Sequence, residues 1–277
     1  MKLSLKPHYP KRYKDIAIAL GLLVFGNNTG IAQERSPWVP TIPLTTNEEA
    51  EARQKLDAFE KGNVSLDDLT KNREKCDELI KYYLSHTNEI SIKARLPISR
   101  CYALKGVYAD AARLAQEYVN VYSNDWRGWK ILGGSSFLMQ SYDKSVQAYS
   151  NAVRLGDENS YEPLALAAIK GDRMYIIRGI IPELMNLKSA KQTPEDNRVH
   201  LISILLFYSV KTNQKDVFIK TLEGADMRTI LQDNDVRLDV TSGCQLFNGK
   251  DIDSIRQESA AAPGGSSSSN NMNGLPP

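Results

Sequence analysis

The stretch "WRGWKILGG", residues 126–134, decides how the chain is read. Two tryptophans three apart lead into Ile131 and Leu132, and a glycine pair follows at once. Such a run can be a catalytic loop, a phosphate cradle, or the inside of a helix that packs closely on a neighbour. No Gly-Lys-Ser/Thr follows Gly133-Gly134-Ser135-Ser136, and no G-x-S-x-G pattern is present. Phosphate loops and nucleophile elbows need those residues for their backbone amides and sharp turns. The helix reading remains: glycine brings a second helix close to the Trp129–Leu132 face.

Working outward, the same spacing recurs. Shifted by 34 residues, 92–124 falls onto 126–158. Ile98 meets Leu132, Ser99 meets Gly133, and Tyr108-Ala109-Asp110-Ala111 meets Tyr142-Asp143-Lys144-Ser145. Ser123-Asn124 meets Asp157-Glu158, where one unit turns into the next. Periodic self-similarity of this length marks arrays of supersecondary units that bury their faces only by stacking.

These residues resemble the tetratricopeptide repeat. Trp129-x-x-Leu132-Gly133 matches that family's first-helix signature, and Ser145, Tyr149 and Ala152 fall where its second helix has small, aromatic and small residues. The preceding unit matches at Tyr102 and Ala111, but has Ala115 and Tyr118 where the other has Tyr149 and Ala152. A third unit, 160–190, keeps Leu166, Ala167, Ile176 and Gly179. It carries Glu183 and Asn186 where an aromatic and a small residue belong, and Pro182 is expected to kink its second helix. The resemblance implies an all-α solenoid of antiparallel helix pairs, with residues 46–86 and 194–258 as degenerate units or caps.

The rest of the chain divides by composition. Lys2, Lys6, Lys11, Arg12 and Lys14 precede the apolar run 16–25, and Gly30-Ile31-Ala32 offers small residues for cleavage. This reads as an export signal over 1–32, with an uncleaved N-terminal anchor as the alternative. Residues 33–45 form a proline-rich arm. Pro37, Pro40 and Pro43 forbid a helix there and favour an extended, polyproline-like course. Helical spacing covers 46–258, with capping boxes at Thr45–Glu48 or Thr46–Glu49 and at Ser65–Asp68, and Thr193-Pro194-Glu195 opening another helix. The segment 201–208 is apolar nearly all round, which reads as a buried helix. Residues 259–277 carry no charge and little that can pack, so they read as a disordered tail.

Charge excludes one class of partner. The chain has 35 basic and 33 acidic residues; removing the leader's five bases and one acid leaves 30 and 32. A near-neutral chain with interspersed signs has no electrostatic footprint for nucleic acid. Cys76, Cys101 and Cys244 form no CxxC pair. In an exported protein Cys76 and Cys101 can bridge neighbouring helices; otherwise all three are small buried hydrophobes. His8, His86 and His200 have no ligand-like spacing to cysteine or carboxylate. Asp233-Asn234-Asp235 lacks the glycine and glutamate of a calcium loop, which leaves helix capping. No cofactor or metal site is therefore expected.

The functional expectation is a non-enzymatic, exported scaffold or adaptor of a cell-envelope assembly, of the secretion, pilus or envelope-biogenesis kind. It binds a protein segment in its concave groove, with no transmembrane span in the mature chain. Some tetratricopeptide proteins clamp a C-terminal carboxylate with asparagine and lysine. Arg127 and Lys130 are available here, but Gly134 stands where that clamp needs asparagine. The groove's expected contacts are Arg127, Lys130 and Gly134, with Trp38 and Ile42 of the arm as a second contact. Trp126 lies just before the repeat motif and is not required by it, which makes it the aromatic to examine for a partner. A self-assembling subunit whose arm docks on the next copy is the alternative, and a helical hydrolase built around His200 and residues 233–244 is the remaining class.

Overall fold

A left-handed residue recurs along the chain and turns it back on itself. Gly106, Gln140 and Asp172 have φ of 81°, 60° and 56°. In each case the next amide reaches back five residues. Val107 N–H donates to the Tyr102 carbonyl (2.9 Å), Ser141 to Ser136 (2.9 Å) and Arg173 to Ala168 (2.7 Å). This closure satisfies carbonyls that a helix end leaves without partners, and it forces a reversal.

The computed structural model describes residues 43–247 other than 63–64, 67–68, 70–73 and 192. The expected signal, Trp38 and Ile42 of the arm, Asp68 of one expected capping box, and the tail lie outside these residues. All regular structure among the described residues is helical, and it falls into two units divided after Ala190.

The first unit contains α1 (Thr46–Glu60), α2 (Glu74–Ser85), α3 (Arg95–Leu104), α4 (Tyr108–Val121), α5 (Trp126–Leu138), α6 (Tyr142–Arg154), a 3-10 turn (Glu158–Ser160), α7 (Tyr161–Lys170) and α8 (Met174–Ser189). Each helix packs on the next, and α3 also meets α5. Of the two expected capping boxes at α1, the structure uses Thr45. Its amide donates to Glu48 Oε2 (2.7 Å) and its hydroxyl accepts from the Glu48 amide (3.4 Å). Cys76 on α2 and Cys101 on α3 form a disulfide with Cα atoms 5.0 Å apart, both side chains fully buried. Lys55–Glu78 ties α1 to α2 and Lys105–Asp77 ties the end of α3 to α2.

The expected glycine seam is present. A Cβ on Gly133 would stand 3.0 Å from the ring of Tyr149, so α6 lays its aromatic flat on the α5 backbone. Ser145 Oγ completes the approach by donating to the Gly133 carbonyl at 2.9 Å. The exchange of large and small residues in the preceding unit also has a structural reason. Tyr118 does not face its own partner's equivalent position; it reaches forward onto Gly128 of α5, where a Cβ would meet its ring at 2.7 Å. Gly179 is different, because a Cβ there meets nothing within 4 Å. The third unit thus keeps the spacing without the close approach. Pro182 does not break α8, which continues from Met174 to Ser189. Pro182 and Arg178, whose carbonyl loses its amide partner, are both exposed, so water replaces the missing bond.

The second unit comprises α9 (Glu195–Thr212), α10 (Lys215–Leu222), α11 (Met227–Ile230) and α12 (Asn234–Phe247). Pro194 occupies the N-cap of α9 rather than its first turn. The apolar segment 201–208 lies inside α9 and is mostly buried, as expected. Asp233 caps α12 by accepting from the Val236 amide at 3.3 Å. Phe218 is fully buried among Ile202, Leu206, Val236, Val240 and Cys244.

Candidate functional site

Buried helices offer no docking surface, and α3, α7 and the middle of α5 are buried on every side. Leu96–Leu104, Ile131–Ser136 and Glu162–Ile169 are each buried without interruption. Side chains at successive positions point around the whole helix, so such runs leave no open face. Trp126 is the exposed large hydrophobic residue of these three helices, at 37%, next to the Arg127 side chain at 42%. It starts α5, at the edge where second helices end and first helices begin.

That edge is held by Asp125. As N-cap of α5 it accepts from the Arg127 amide at 3.0 Å. The Arg127 guanidinium grips the same carboxylate twice, Nε to Oδ1 at 2.9 Å and Nη2 to Oδ2 at 2.6 Å. Tyr118 Oη donates to Oδ2 at 2.6 Å. Burial opposes ionisation of Asp125, but the bonds from Arg127 and Tyr118 outweigh it and hold the carboxyl below its ordinary pKa. Burial, reinforced by this carboxylate, raises the Tyr118 phenol well above its usual range. Arg127 also lies 6.0 Å over the Phe59 ring at the end of α1. It is a brace between α1 and the α4–α5 turn.

Lys130 is committed in a similar way. Its Nζ pairs with the buried Asp157 at 3.1 Å, and Ser160 Oγ donates to Asp157 Oδ2 at 2.6 Å. The same ammonium lies 5.2 Å over the Trp126 ring. Lys130 therefore joins the next turn between units to the indole and fixes the indole's face. Gly134 is buried inside α5 and offers nothing to a groove. The Trp129 indole is tied back by donation to the Ser123 carbonyl at 2.8 Å.

Two further side chains at this edge went unread in the sequence. Val121 is 60% exposed and Tyr122 39%, and the Tyr122 ring lies 4.9 Å from that of Tyr118. Val121 falls off the stripe Ala111, Ala115, Tyr118 that faces the core, whereas Tyr122 keeps the register of that stripe but stands past the end of α4, as its C-cap. Like Trp126, they lie at the turn between α4 and α5. Elsewhere, Gly133-Gly134-Ser135-Ser136 is interior helix. His86 stacks on Tyr82 at 4.3 Å and bonds its carbonyl at 3.2 Å. His200 stands on α9, and residues 233–244 form α12 and its cap. Among the described residues, no three His, Cys, Asp or Glu side chains gather to hold a metal, and no helix is long and apolar enough to cross a membrane.

No protein-family model matches the chain, and no curated protein matches it.

Proposed function

We propose that this chain is an exported, tetratricopeptide-like solenoid that serves as a non-enzymatic interaction scaffold in a cell-envelope assembly. The partner segment docks at the Trp126 edge rather than along the buried first helices. The observation that carries this reading is the exposure of a braced tryptophan at the start of a helix whose middle is buried. Exposed aromatic residues beside charge are the anchors that interfaces favour. The recurring left-handed turns support the repeat, and the buried Cys76–Cys101 disulfide fits an oxidising compartment.

The test has two arms. Expressed in a bacterial host, the full chain should be recovered outside the cytoplasm with an N-terminus beginning at Gln33. Photo-crosslinking from residue 122 should then capture an envelope protein, and Trp126→Ala should abolish capture at an unchanged melting temperature. Retention in the cytoplasm with the leader intact would overturn the export reading. Capture that survives Trp126→Ala would overturn the docking edge.

A further inference from the structure

Lys130 connects two successive turns between units. Its ammonium lies 5.2 Å over the Trp126 ring, and it also pairs with Asp157, at 3.1 Å from Oδ2 and 3.4 Å from Oδ1. We propose that Asp157 and Ser160, in the turn between α6 and α7, are positioning residues for Trp126. Acting through Lys130, they hold the indole in one orientation. The inference rests on the Trp126 edge being the docking surface proposed above, and it names what presents the anchor there.

The first support is how firmly the far end of this tie is fixed. Asp157 is 4% exposed and Ser160 is fully buried. Asp157 Oδ2 accepts from Ser160 Oγ at 2.6 Å, and the Asp157 amide donates to the Ala152 carbonyl at 3.0 Å. The Ser160 amide in turn donates to the Asp157 carbonyl at 3.0 Å. Main chain and side chain together set where this carboxylate stands, and so where its counter-charge must come. A buried carboxylate that loses its cation is left uncompensated, which costs far more than reorienting a lysine in water. Lys130 is therefore the held partner, and the indole face lies against a held ammonium.

The second support is a comparison within the chain. In the 34-residue register Lys130 falls on Leu96, Trp126 on Ile92 and Asp157 on Ser123. Leu96 is fully buried in the apolar cluster that holds Ala115 and Tyr118. Packing one helix pair on the next therefore needs no cation at this place. Of these two units, the ionic tie occurs in the one whose first helix starts with an exposed aromatic ring. An anchor ordered before contact loses less freedom when a partner arrives, which is the advantage such a tie confers.

Indole resonances decide the matter in the full chain. Its three tryptophans give three indole N–H signals, and Trp126→Phe assigns one of them. Lys130→Met with Asp157→Asn removes both charges together, which avoids the unpaired buried carboxylate that Lys130→Met alone would leave. In this variant the order parameter of the Trp126 indole should fall below about 0.6, into the mobile range. The Trp129 indole, bonded to the Ser123 carbonyl, should keep its value. Crosslinking yield from residue 122 should fall about two- to tenfold, the effect of ordering one side chain only at contact. Ser160→Ala should loosen the Trp126 indole part of the way. Lys130→Arg keeps a cation that can reach the carboxylate and lie on the ring, and should leave both readouts unchanged. A Trp126 indole that is already mobile in the wild-type chain, or that stays ordered in both the double variant and Ser160→Ala, would overturn the proposal. Trp126-dependent capture with an unmoved indole refutes this inference alone. An indole that loosens as expected in a chain that captures nothing supports it and refutes the docking reading instead.

Discussion

Both units of this protein set an aromatic ring on a glycine, but they distribute that contact differently. In the first, Tyr118 covers Gly128 and Tyr149 covers Gly133, so the device is repeated from one helix to the next. In the second, a Cβ on Gly243 would meet Phe218 at 2.0 Å, and one ring serves as the centre for α9, α10 and α12. Repetition spreads the loss when one contact fails, because each helix pair depends only on its neighbours. A single centre concentrates it.

Breaking the central ring should have the largest effect. Phe218→Ala is expected to cost about 3–5 kcal/mol. Hydrogen exchange should rise throughout 195–247 together, while 95–170 keeps its protection. Uniform loosening of both units would show that the two cores are not separate. The next largest effect concerns the disulfide, which closes a sequence separation of 25. Replacing Cys76 and Cys101 together by serine should destabilise the first unit by about 3.5 kcal/mol in chain-entropy terms, read from denaturant midpoints. In the repeated seam, Gly128→Ala should cost about 1–3 kcal/mol, because a Cβ there meets Tyr118 and Val119 at 2.7 Å. Gly133→Ala, at 3.0 Å from Tyr149, should cost less; equal costs would mean that neither ring can slide.

Two smaller effects test the turns. Asp125→Asn weakens the cap and its grip on Arg127, with an expected loss of about 1–2 kcal/mol at pH 7. The wild-type carboxyl has a lowered folded pKa, so its stabilisation is present above the ordinary value of 3.8 and disappears as pH falls below it. The variant should lack that acid slope in melting temperature. Gln140 holds a left-handed φ of 60°. Gln140→Gly relieves that strain and should stabilise the hairpin by about 0.5–1 kcal/mol, net of the added unfolded-state freedom.

The helix pair α5–α6 was legible because its packing is local. Trp129, Leu132 and Gly133 declare one helix face, and Ser145, Tyr149 and Ala152 declare the face that meets it. The left-handed turns went unread: Gly106 is one glycine among many, and Gln140 and Asp172 are not glycine. Those side chains tolerate the left-handed conformation only because the closing bonds of the turn enforce it. Gly243 was invisible for another reason: nothing near it in the sequence indicates that Phe218, on another helix, will cover it. At the candidate site, Trp126 stood out because the repeat had no use for it. Arg127 and Lys130 read as groove cations: Asp125, which holds Arg127, stands only two residues away and went unread, while Asp157, which holds Lys130, comes from another element.

By itself the sequence determined an all-helical chain, the approximate place of its helices and the seam at Gly133. Periodicity and glycine content act over a few turns, and they survive without knowledge of distant contacts. The tertiary structure alone decided that α3, α7 and the middle of α5 are buried all round, that Arg127 and Lys130 are engaged within the protein, and that Trp126 is left open. Burial and ion pairing depend on which surfaces meet, and that is fixed only when the helices pack.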